Sequence, residues 1–179
     1  MSQPLVHTLL VLIFTIGIGP SSFSQTSTEK EHIIEHLGED EYQRLMELSL
    51  DDFDQSGEGF RMYSDDYHVV SLLIPEYITV NELSPEYSRN LHWHMGQIHA
   101  FNDEVEAAIS EMEQAYAGGP IYWKCYVDGS IAFLKRDKPK MEKAIETLRE
   151  QENQMNLDVL ERLFQYYDLS YLEAYMGGR

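Results

Sequence analysis

The sequence holds a single cysteine, Cys125, so no intramolecular disulfide can form and stability has to come from packing. Cys125 stands among apolar neighbours in a helical pattern, where a buried, inert thiol is expected. Basic residues are scarce: 13 Lys and Arg against 31 Asp and Glu give a net charge of −18. A field of that sign repels phosphate backbones and anionic membrane surfaces, which argues against nucleic-acid or membrane partners. It favours basic partners or cations, and it keeps a secreted chain in solution. Nucleophile motifs are missing as well. There is no G-x-S-x-G, no phosphate-cradling glycine loop and no histidine beside the lone cysteine. Plentiful carboxylates do not replace them, since any acidic surface supplies pairs. The expectation is a non-enzymatic protein with no cofactor.

No apolar run is long enough to span a bilayer. The first 24 residues lack Asp, Glu, Lys and Arg, and their apolar stretch, Leu5 to Gly19, is 15 residues long, against the ~20 a spanning helix needs. Pro20 and the small residues Ser22 and Ser24 follow it, which predicts a signal peptide over 1–24 cleaved before Gln25, in preference to an anchor. No lipid-bearing cysteine follows the run. The mature chain is expected to be periplasmic or secreted, with no membrane contact after cleavage. About 155 residues remain, enough for one domain with a real core. Residues 25–30 are polar and expected to be disordered; 31–176 are expected to form a single all-α domain.

What the sequence does have is a helix pair written twice. Trp93, Gly96 and Ile98 recur as Tyr126, Gly129 and Ile131 at a spacing of 33. Val105, Ala108, Ile109 and Met112 recur as Met141, Ala144, Ile145 and Leu148 at a spacing of 36. A unit of roughly 34 residues therefore repeats, at about 84–118 and 120–152. Before it, apolar positions from Glu31 to Ser49 fit a helix interrupted near Gly38. Asp51 to Gly59 reads as a loop. Tyr67 to Val80 reads as a buried helix disturbed near Pro75, with a strand as the weaker option. Ser84-Pro85 starts a helix, and Leu91, Met95, Ile98 and Asn102 mark a stripe along it. Asp103 with Glu106 has the form of a capping box. Gly118-Gly119 stops the next helix, Ile121 to Arg136 forms another, and Asp137 opens a fourth. Leu157, Leu160, Phe164 and Tyr167 give a further helix after Asn156.

Helices joined by such short turns pack antiparallel, and Gly96, Ala108, Gly129 and Ala144 let their axes approach. Here the chain resembles a tetratricopeptide repeat, through Gly96, Ala108, Ala115 and Pro120 at that family's separations. It departs from the pattern at His92 and Cys125, where the family has an aromatic four residues before the glycine, and at Gln151, where a helix-closing alanine would stand. The stretch from Tyr126 to Asp137, with His92 to Gln97 before it, also resembles a group of small bacterial exported proteins of unknown function, a likeness that transfers no activity. The resemblance implies an all-α fold of antiparallel helical hairpins in a tetratricopeptide-like array. It further implies a concave groove lined by the first helix of each pair, for an unknown protein or peptide. By the glycine register the groove positions are Asn90, Trp93 and Gln97, then Trp123, Tyr126 and Ser130. Their aromatics are either binding anchors or packed core.

Two constellations suggest metal. Asp52, Asp54, Ser56, Gly57 and Glu58 occupy five ligand-loop positions of an EF-hand, but Tyr63 replaces the closing bidentate glutamate and Gly59 an apolar residue. The stretch is read as a turn with its acids in solvent, and calcium binding there is the alternative function, beside an enzyme of unseen mechanism. His92, His94 and His99 cluster on one helix without the i, i+4 spacing of a zinc pair, so no metal ligand is assigned.

Overall fold

Helical periodicity runs through nearly the whole chain. The computed structural model describes residues 22–151 and 153–179, and among them there is no strand. The order is α1 (Ser22–Leu37), α2 (Glu39–Met46), α3 (Leu50–Gln55), a 3-10 turn (Phe60–Tyr63), α4 (Tyr67–Val80), α5 (Pro85–Phe101), α6 (Val105–Gln114), α7 (Ile121–Leu134), α8 (Lys138–Arg149), α9 (Gln154–Gln165) and α10 (Tyr171–Tyr175). The expected signal peptide lies outside the described residues apart from Ser22–Ser24, which open α1. Residues 25–30, expected to be disordered, belong to α1. Once Ile33 is buried and a turn is nucleated, each further residue adds a hydrogen bond at little extra loss of freedom.

Local chemistry explains most boundaries. Gly38 sits at φ 89° between α1 and α2, a conformation only glycine adopts cheaply. The side chains of Asp137 and Asn153 accept the Lys140 and Asn156 amides at 3.1 and 3.2 Å and so start α8 and α9. Pro75 is accommodated inside α4, so the helical reading of that segment holds and the strand does not.

Three expected local features differ. Residues 50–55 form α3, where a loop was expected, because the Ser49 hydroxyl accepts the Asp52 amide at 3.2 Å and Phe53 is fully buried. The Asp103–Glu106 capping box does not form. Asp103 turns the chain at φ 60°, and the N-cap falls on Glu104, whose carboxylate is taken by His99 and Tyr67. The Ser84 hydroxyl makes no cap bond, and Pro85 alone pre-sets that helix start.

Buried apolar residues form two groups that meet at α5. One gathers α1, α2, α3 and α4 around Phe53, Leu73, Ile74 and Tyr77, and α5 adds Leu91 and Met95 to it. The other gathers α6 to α10, and α5 adds Trp93 and Ala100. Helix α5 packs on α6, and α7 packs on both α8 and α9. Cys125 is buried, as expected, and its burial pushes the thiol pKa up.

The two repeat glycines do different work. A Cβ at Gly96 would lie 2.6 Å from Met112 Cγ, 3.1 Å from the Ala108 carbonyl and 3.2 Å from the Met112 amide, so α6 presses its backbone on this position. A Cβ at Gly129 would instead meet the Leu160 side chain of α9, at 2.5 Å. Backbone cannot rotate away, whereas a leucine tip can. Gly96→Ala is therefore expected to destabilise by about 1–2 kcal/mol, overpacking outweighing the ~1 kcal/mol of helix propensity gained, and Gly129→Ala by less. Urea unfolding of the two variants measures the order, and a stabilised Gly96→Ala chain would show that the approach of α6 is not limiting.

Candidate functional site

The six expected groove positions come apart in the structure. Trp93 and Tyr126 are 4% and 5% exposed, and Ser130 is fully buried. Trp93 packs against Tyr126 and Trp123, with ring centroids 4.6 and 5.4 Å apart, so the aromatics form a core cluster between α5 and α7 and not a lined groove. Only Asn90 is exposed, while Gln97 and Trp123 are half-buried. The Trp123 indole N–H is already used, donating to the Ala115 carbonyl at 2.6 Å.

The covering element is α10, which the sequence reading did not anticipate. The Tyr171 ring packs tilted against Phe101 of α5 and edge-on against Phe133 of α7, with centroids 5.8 and 5.7 Å apart, and Tyr175 lies 5.4 Å from Phe101. Burial, with Tyr171 and Tyr175 close by, pushes the Tyr126 hydroxyl pKa well above its ordinary value. Ser170 and Glu173 form a complete capping box at the start of α10, and that S-x-x-E spacing was legible in the sequence. Arg136 donates to the Tyr167 and Leu169 carbonyls, and Arg162 donates to that of Tyr175 at 2.8 Å, which ties the tail down. What remains open is the N-terminal end of α5 and α7. Tyr87 is 66% exposed and Ile121 54%, with Tyr122, Asn90 and the partly exposed Trp123 beside them in sequence. Arg89 joins the two ends: its guanidinium donates to the Ala117 carbonyl at 3.2 Å and lies 5.8 Å from the Trp123 ring.

A second feature is a cleft of about 270 Å³ between the 3-10 turn, α4 and α5. Phe60, Val70, Ile98 and Phe101 supply its apolar surface; Arg61, Ser64, His94 and Gln97 supply polar groups. Behind His94 lies Asp54, only 3% exposed. Its Oδ1 is 3.1 Å from His94 Nε2 and 3.6 Å from the Arg61 guanidinium. Neither contact is aligned as a hydrogen bond, so this oxygen is held by charge, while Oδ2 accepts from Gln55 at 2.6 Å. Arg61 also donates to the Asp54 carbonyl and lies 3.2 Å from His94 Nε2. Across the cleft the Tyr67 hydroxyl lies 3.0 Å from His99 Nδ1 and donates to Glu104; burial, then this carboxylate, pushes the Tyr67 pKa up to about 12.

Asp54 was expected in solvent within a loop, and the structure places it inside. It sits near the end of α3, on the same inward side as the fully buried Phe53. Asp52 faces the other way and is bonded to Ser49. The helical stretch therefore spreads the two carboxylates that an EF-hand loop would gather. Gly59 has its own reason: a Cβ there would collide with the Phe53 backbone. The α5 histidines also separate. His92 pairs with Glu111 at 2.7 Å, His94 with Asp54 and His99 with Glu104 at 2.6 Å.

Burial pushes the Asp54 carboxyl up, but His94, Gln55 and Arg61 together outweigh it and hold its pKa below the ordinary value. Its share of stability is thus present above the ordinary carboxylate range and is lost as pH falls through the lower folded value. Asp54→Asn is expected to flatten the acid limb of the stability–pH curve. His94→Ala leaves Oδ1 of a buried carboxylate without its nearest contact and should cost about 3 kcal/mol at neutral pH. Urea unfolding between neutral and acid pH checks both, and an acid limb identical in Asp54→Asn would remove this carboxylate from the balance.

Compared with family models, with curated proteins and with solved structures, the chain finds no match, so no activity, ligand or partner comes to it from a relative.

Proposed function

We propose that the chain is an exported, non-enzymatic interaction module of tetratricopeptide-like type that binds a basic polypeptide. The observation that carries this reading is the exposed aromatic and aliphatic surface at the N-terminal ends of α5 and α7. Tyr87, Ile121 and Tyr122 stand in solvent on a chain of net charge −18. Large side chains with a polar tip supply much of the energy in protein recognition, and an acidic surround steers basic partners toward them. Asn90 and Trp123, two of the six groove positions, belong to this open end. Trp93, Tyr126 and Ser130 lie in the packed interior, where they serve stability, and Gln97 lines the cleft between α4 and α5.

The tetratricopeptide-like arrangement is supported by the close pairing of α5 with α6 at Gly96 and Ala108, across a turn of three residues. The second pair follows the pattern less closely, since Gly129 faces α9. Export rests on the leader read in residues 1–24. No helix among the described residues is long and apolar enough to cross a membrane.

A displayed random-peptide library tests the reading. Peptides retained by the wild-type chain should carry net positive charge and apolar anchors. A Tyr87→Ala, Tyr122→Ala double variant should lose about 2 kcal/mol of affinity for them, a typical hot-spot loss, with an unchanged melting midpoint because both side chains are exposed. If nothing is enriched on the wild type over the double variant, the open end is not the binding surface.

A further inference from the structure

The cleft between the 3-10 turn, α4 and α5 has a built interior. His94, Ile98 and Phe101 stand at i, i+4 and i+7 on one face of α5, and with Phe60 and Val70 they line about 270 Å³ of space. Arg61 lines it too, with 38% of its side chain still accessible to solvent. We propose that this cleft binds a small organic monocarboxylate with an apolar body, its carboxylate on Arg61 and its body over Val70, Ile98 and Phe101.

The first support is how Arg61 is held. Its guanidinium carbon lies 5.1 Å from the centroid of the Phe60 ring, Nε donates to the Asp54 carbonyl and Nη2 lies 3.2 Å from His94 Nε2. Nη1, with its two N–H groups, has no hydrogen-bond partner among the described residues. A guanidinium fixed in this way gives up little further freedom on binding, and its planar donors match a carboxylate. The second support is Asp54. Replacing a buried ion pair by apolar residues is often neutral or stabilising, so stability alone does not account for a carboxylate only 3% exposed. Asp54 draws His94 and Arg61 to one point at the back of the cleft, 3.1 and 3.6 Å from its Oδ1.

Size and charge narrow the class. The volume falls just under the ~300–1,000 Å³ of sites for drug-sized molecules, which limits the ligand to a single ring or a short branched chain. The other carboxylate nearby, Glu104, is engaged: it accepts from Tyr67 and lies 2.6 Å from His99 Nδ1. The net charge of −18 is screened beyond ~8 Å at physiological ionic strength, so it opposes a monoanion far less than a polyanion. The cleft belongs to the C-terminal half of α5, whereas Tyr87 stands at the start of that helix, so this site is separate from the surface proposed for peptides.

The test is calorimetric titration of the full-length chain with phenylacetate and with isovalerate. The matching amides, which lack the charge, and acetate, which lacks the apolar body, serve as controls. At least one of the two carboxylates should bind with one equivalent, and the controls about tenfold more weakly or worse. Arg61→Gln should weaken that binding about tenfold or more. Ser64→Trp adds an indole at an exposed position of the cleft lining and should weaken it as well, which keeps the test decisive if Arg61→Gln unfolds. No saturable uptake of either carboxylate, amides bound as tightly as their acids, or binding that the folded variants retain in full would each overturn the proposal.

Discussion

Everything in this structure leans on α5, a helix buried along two sides. Each residue advances about 100° round a helix, so Leu91, Met95 and Ile98 make one stripe and Trp93, Gly96 and Ala100 make another nearly opposite. The first stripe closes the group built by α1 to α4, and the second closes the group built by α6 to α10. Fully burying side chains of the size of Leu91, Met95 and Trp93 stabilises by roughly 1.5–3 kcal/mol each. Neither group is complete without α5. Gly96 matters for the same reason, because it admits the backbone of α6 to a helix that also has to accept α4.

Scarce positive charge is put to structural use. Arg44, Arg61, Arg89, Arg136 and Arg162 each donate to a backbone carbonyl in the last turn of a helix or in the connection beyond one. Carbonyls past a helix end have no partner within the helix, and a guanidinium reaches them from a distance with several donors. The acids, in large excess, are mostly left to water, and histidines take several of the rest. His36, His92, His94 and His99 each meet a carboxylate from a different segment. Of these acids, Asp54 is the one carried fully inside, where it ties α3, the 3-10 turn and α5 together at the back of the apolar cleft.

The tail governs which surface the molecule leaves open. Helix α10 is five residues long, too short to stand alone, yet Tyr171 and Ala174 are buried and two arginines hold the carbonyls around it. Its seat against Phe101 and Phe133 accounts for the closure of the region round Tyr126 and Ser130. The surface left open lies at the opposite ends of α5 and α7, where Tyr87 and Ile121 remain in water.

The sequence by itself determined the helical class, the break at Gly38, the start at Pro85, the cap at Asp137 and the burial of Cys125. Each of these depends on a residue's own backbone preference or on spacing along one helix, and such signals are local. The Ser170–Glu173 capping box is a signal of the same local kind. Tertiary structure alone decided that Asp54 lies inside, that Trp93, Tyr126 and Ser130 are core, and that Gly129 faces α9 while Gly96 faces α6. Amphipathic spacing shows which face of a helix is apolar and is silent about what covers it. The covering partners here come from segments far away in the chain, α10 over α5 and His94 over Asp54, and only packing brings them together.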